Sequence, residues 1–70
     1  MKTELKEALR SKRYNFGDLA HHMGCNREYL SKVLNRKHTA SKRFIFLLCA
    51  TVNNMTGSTF TTNDFQEYMK

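Results

Sequence analysis

The sequence predicts an all-α fold, a small domain of four or five helices. Apolar residues recur at i, i+3 and i+4 in four separate segments, two of which extend the pattern to i+7, the spacing of helices that bury one face. Each segment is preceded by a residue able to cap a helix: Thr3, Asn15, Asn26 and Ser41. Proline is absent, and the one run with strand-like composition is Ser58 to Thr62, where a short extended segment competes with helix.

The first helix is expected over residues 3–12, capped by Thr3, with Glu4 and Glu7 toward its N-terminal end and Leu5, Ala8 and Leu9 on its apolar face. Lys6, Arg10 and Lys12 fall on the solvated side. Tyr14 precedes the next cap and is placed to pack back onto the helix that follows. That second helix should run from Phe16 to Met23, with Phe16, Leu19, Ala20 and Met23 inward. Asn15 caps it, Asp18 lies in its first turn, and Gly24 ends it at little conformational cost. A third helix should span Arg27 to Asn35, capped by Asn26, with Leu30, Val33 and Leu34 inward and Tyr29 half-buried. The fourth, residues 42–53, carries a core stripe of Ile45, Leu48, Cys49 and Val52. Phe44, Phe46 and Leu47 make it apolar on more than one side, so it is either central to the bundle or covered by another subunit. Asn53, Asn54 and Gly57 signal a turn. Asn63 is placed to cap a last short helix from Asp64 to Met69, and Phe60, Phe65, Tyr68 and Met69 either close the core or join two subunits.

Seventy residues allow one domain, residues 1–70, with a modest core that a partner subunit would reinforce. The formal charge of +6 is unevenly placed. Residues 1–43 hold 11 Lys or Arg against 4 Asp or Glu, a net of +7; residues 44–70 hold 1 against 2, a net of −1. Basicity thus belongs to the second and third helices and their flanks, and nucleic acid is the polyanion it suits best, ahead of a membrane surface. Cys25 and Cys49 form no CxxC pair and read as small buried hydrophobes. His21, His22 and His38 lack metal-ligand spacing to the cysteines, so no metal or other cofactor is expected. The start, MKTELKEAL, lacks the apolar run expected of a signal peptide. The most apolar run, Phe44 to Val52, is too short to span a bilayer, which gives a cytoplasmic expectation with no membrane partner.

The segment Asn15 to Lys37, NFGDLAHHMGCNREYLSKVLNRK, organises the chain. Ala20 is small where two crossing helices would approach, Gly24 follows four residues later in the turn, and Leu30 and Val33 return inward. That spacing is the pattern of a helix-turn-helix, which lays its second helix in a DNA major groove. With Leu30, Val33 and Leu34 inward, Arg27, Glu28, Ser31 and Lys32 share the outward arc, with Asn26 at its N-terminal lip. Arg27 has the fork to meet guanine O6 and N7, Glu28 accepts from cytosine N4, and Lys32 donates to guanine or phosphate. Asn26 and Ser31 suit either a base edge or the backbone. The plainer reading of Glu28 and Lys32 is an i, i+4 ion pair on a solvated face. Asn35, Arg36, Lys37 and His38, followed by Lys42 and Arg43, form a cationic flank suited to phosphate. Asn15 and Phe16 stand at the other edge of the same surface, and Gly17 leaves room for a close approach, of DNA backbone for example.

The stretch from about Leu5 to Val52 resembles the lambdoid-phage Cro and repressor family, the wider Xre-like group of helix-turn-helix regulators. The resemblance rests on the cap Asn15, Leu19-Ala20, Met23-Gly24, Cys25 in the usual apolar place, and the buried pair Leu30 and Val33. It implies base-reading positions at Arg27, Glu28 and Lys32 with Asn26 at the helix start, and backbone contacts near Phe16, Asn35, Lys37 and Arg43. It also implies an operator-binding homodimer that regulates transcription. Phe16 stands where many relatives have Gln, and Leu34 and Arg36 replace a Glu and a Gly common at the end of the recognition helix. The segment REYLSKVLNRK also resembles a helix-turn-helix of AraC-type activators, which carry two such motifs where this chain has one.

The leading functional expectation is a sequence-specific regulator of double-stranded DNA with no chemistry of its own, dimerising through residues 53–70, with or without the fourth helix. Two other classes stand beside it. One is a protein-interaction module, anti-activator or antitoxin-like, for which the apolar excess of the fourth helix and tail is the cue. The other is a non-specific nucleic-acid-binding protein. Enzyme activity is not expected, because neither cysteine has a base and orienting group evident in sequence.

Overall fold

The computed structural model describes residues 2–69. Four α-helices, α1 (Lys2–Ser11), α2 (Phe16–Met23), α3 (Arg27–Leu34) and α4 (Lys42–Thr56), are followed by a 3-10 segment, Thr62–Tyr68. The fold is all-helical, with no strand among the described residues. An isolated parallel bridge joins Ala40 and Met69, with the Ala40 N–H donating to the Tyr68 carbonyl at 2.9 Å.

The α4 helix is central: α1, α2 and the 3-10 segment all pack on it, while α3 packs on α2. Leu5 and Leu9 from α1, Leu19 and Met23 from α2, Leu30 and Val33 from α3, and Ile45, Leu48 and Val52 from α4 meet in one core, closed by Phe65 and Tyr68. Burying a leucine, valine or isoleucine of this kind stabilises the fold by about 1.5–3 kcal/mol before chain entropy is counted. The centrality of α4 explains most of its apolar surface. Phe46 and Leu47 are the exceptions, 66% and 42% exposed.

Local chemistry sets the helix ends. Asn15 Oδ1 accepts the Asp18 N–H at 2.8 Å while Asp18 Oδ2 accepts the Asn15 N–H at 2.9 Å, a reciprocal cap at the start of α2. Gly24, at φ 72°, ends that helix in the left-handed region. Asn26 and Ser41 cap α3 and α4 through the N–H groups of Glu28 and Phe44. The ends of α1 and α3 are less usual. Arg13 and Arg36 take φ values of 63° and 60°. Each sits inside the paired backbone bonds of a left-handed helix stop: Arg13 to Arg10 with Tyr14 to Leu9, and Arg36 to Val33 with Lys37 to Lys32.

Several boundaries differ from expectation. Thr3 lies inside the first turn of α1 and does not cap it. Asn35 is the C-cap of α3, not its last residue. Asn53 and Asn54 are helical, because α4 continues to Thr56 and stops at Gly57 (φ 70°). The Asn53 amide explains the extension: its Nδ2 donates to the Phe60 carbonyl at 2.8 Å and its Oδ1 accepts the Phe60 N–H at 2.9 Å. One helical side chain thus supplies the backbone pairing that residues 58–61 would otherwise seek in a strand. Thr61, not Asn63, is the N-cap of the last segment, its N–H held by Asp64 Oδ2 at 2.8 Å. The tail aromatics are not surplus either. Phe65 and Tyr68 are buried in this chain's own core, and Phe60 and Met69 are half-buried against it.

Cys49 is buried and Cys25 half-buried, both as free thiols. Burial raises both above the ordinary thiol value, and the Asp64 carboxylate adds to the effect on Cys49. Among the described residues no group of His, Cys, Asp and Glu could hold a metal ion, and no helix is long and apolar enough to cross a membrane.

Candidate nucleic-acid interface

Arg27, Glu28, Ser31 and Lys32 are all exposed and together line one shallow hollow on the solvent side of α3. The inward set makes this so: Leu30 and Val33 are fully buried and Leu34 nearly so, which turns the intervening positions outward. Glu28 and Lys32 are not ion-paired with one another. The ion pair of the plainer reading is thus absent, while the solvated face it supposes is present. Asn26 is exposed at the lip of the helix, with its Oδ1 committed to the Glu28 N–H at 2.7 Å.

Arg27 lies against α2. A Cβ built on Gly17 would stand 3.5 Å from Arg27 Cδ and 3.0 Å from the capping oxygen of Asn15. The space left by Gly17 is thus filled from within the chain, by the Arg27 stem and the cap. This corrects the expectation that Gly17 admits an external backbone. It also joins Asn15, the cap of α2, to the first residue of α3.

The cationic flank divides into engaged and open groups. Asn35 is tied in: its amide Nδ2 donates to Ser31 Oγ at 3.2 Å, and its Oδ1 accepts from the Lys2 ammonium. Arg36 is ion-paired with Glu67, and its guanidinium lies 5.8 Å from the centre of the Tyr68 ring. It therefore meets the tail in addition to solvent. Lys37, Lys42 and Arg43 are exposed. His38 is exposed too, with its ring edge-on to Tyr29 at 5.2 Å; Tyr29 in turn meets Phe44 at 5.1 Å. That aromatic chain links α3 to the connection that holds Lys37 and to the first turn of α4, which holds Lys42 and Arg43. Phe16 is half-buried between α1 and α2.

Lys2 escaped the sequence reading. It lies 33 residues before Asn35, and no local pattern joins the first residue of α1 to the end of α3. Its charge adds to the flank at that end. Comparison of the chain with protein-family models, with curated proteins and with solved structures found no match.

Proposed function

We propose that the protein is a sequence-specific double-stranded DNA-binding regulator of the helix-turn-helix type, similar to the Cro and repressor family, that places α3 in the major groove. The observation that carries this is the outward arc of α3, where Arg27, Glu28, Ser31 and Lys32 share one open hollow and the charges of Glu28 and Lys32 have no ion-pair partner among the described residues. Such side chains match the donor and acceptor pattern of base edges. Lys37, Lys42 and Arg43 flank the arc and suit phosphate, which strengthens binding without choosing a sequence. Two copies would present their α3 helices to half-sites about 34 Å apart.

Selection from randomised duplex DNA at fixed salt tests this. A dyad-symmetric enriched motif is expected, and no enriched motif would reject sequence-specific binding. A protein-interaction module is the second reading, favoured by the exposure of Phe46 and Leu47 on α4.

A further inference from the structure

A cleft of about 170 Å³ opens between α1 and the start of α2. Leu9, Tyr14 and Phe16 give it apolar walls, Lys6 and Arg10 stand one helical turn apart at its edge, and Asn15 completes it. Leu9 is buried, Tyr14 and Phe16 are half-buried, and the two cations are exposed. Neither cation has an ion-pair partner among the described residues, and no carboxylate lines the cleft. Asn15 Oδ1 is taken by the Asp18 N–H, which leaves its amide Nδ2 as a further donor.

We infer that this cleft binds a small aromatic carboxylate. An apolar hollow beside two unpaired cations is complementary to a molecule with an apolar body and one anionic end. Tyr14 and Phe16 offer ring surfaces for the body, and the Arg10 fork with the Lys6 ammonium receives the carboxylate. The volume sets the size, since drug-sized ligands occupy pockets of roughly 300–1,000 Å³. A single ring with a short acid arm is of the size that about 170 Å³ holds. None of the residues in the cleft belongs to the outward arc of α3, so the inference stands apart from the DNA-binding reading.

The test is a titration of the full chain with phenylacetate, followed by backbone amide shifts. Two probes split its chemistry: 2-phenylethanol keeps the ring without the charge, and acetate keeps the charge without the ring. Saturable shifts confined to residues 6–17 are expected, with phenylacetate about tenfold tighter than either probe. Arg10→Ala and Lys6→Ala, both at exposed positions, should each weaken phenylacetate several-fold while the melting temperature holds. Shifts spread over Lys32, Lys37 and Lys42 would reveal general anion attraction and overturn the assignment. Equal affinity for either probe, or unchanged affinity in both variants, would overturn it as well.

Discussion

Arg27 and Arg43 are both exposed arginines near the same surface, yet they stand in different places. Arg27 opens α3 with its stem beside Gly17 at the start of α2 and its side chain exposed. Arg43 lies in the first turn of α4, beyond the arc. Arg27→Ala should therefore cost roughly 1–3 kcal/mol per half-site on the preferred operator and relax one base preference, with a much smaller loss on scrambled duplex. Arg43→Ala should weaken both duplexes alike and lower the salt slope by about one unit. Fluorescence anisotropy across a salt series separates them, and equal losses on both duplexes for Arg27→Ala would mean that α3 does not read bases through this residue. A second pair of arginines bears on stability. The left-handed backbone costs an L side chain about 1–2 kcal/mol, whereas glycine gives back about 0.5–1 kcal/mol in chain entropy. Arg13→Gly should accordingly raise stability by roughly 0.5 kcal/mol. Arg36→Gly relieves the same backbone and loses the contacts with Glu67 and Tyr68, so its net change should lie near zero or below. Urea unfolding of the two variants compares them, and equal gains would show that the tail contacts of Arg36 contribute nothing.

The elements differ in how far the sequence determines them. The bounds of α2 were legible residue for residue, because Asn15, Asp18 and Gly24 act within one turn of the ends they define. The inward and outward faces of α3 were legible for the same reason, and so was the candidate arc. The end of α4 and the tail were not. Asn53 looks like a turn residue until its partner is known, and that partner, Phe60, is reached only when the chain folds back. The bridge from Ala40 to Met69 and the burial of Phe65 likewise depend on tertiary contact. Asn53→Ala tests this dependence. It removes both bonds and strips the part-buried Phe60 N–H and carbonyl of their partner, which should cost about 1–3 kcal/mol. Amide exchange should accelerate in residues 57–61 more than in α2 or α3. The neighbouring Asn54 is exposed, and Asn54→Ala should stay within about 0.5 kcal/mol of the parent. Similar losses at the two positions would show that the Asn53 side chain does not organise the tail.

At the scale of the whole molecule, pH and association probe the core and the surface. Folding raises the pKa of Cys49, so above its ordinary value the folded state holds a proton that the unfolded chain has released. Its contribution to stability is therefore full below about pH 9 and declines as the pH climbs past the unfolded value toward the raised folded one. The stability of Cys49→Ala should fall less steeply over that alkaline range, and parallel slopes would remove the thiol as a cause. Association concerns the opposite side of α4. Phe65 and Tyr68 are consumed in the monomer core, and the large hydrophobics left exposed among the described residues are Phe46 and Leu47. A second copy suits this face electrostatically. The first turn of α4 carries Lys42 and Arg43 and no acid, and its last turn carries no base. In an antiparallel pair, the cations of each helix would sit beside the negative dipole end of the other, where they are favourable. The dyad of that pair would also supply the two α3 helices that a symmetric operator requires. Sedimentation equilibrium should show a dimer that Phe46→Glu converts to monomer, with operator affinity falling toward that of a half-site. Because Phe46 is largely exposed, the variant should keep its fold and its helical circular dichroism. A wild-type chain that remains monomeric both free and on its operator would reject dimerisation through α4.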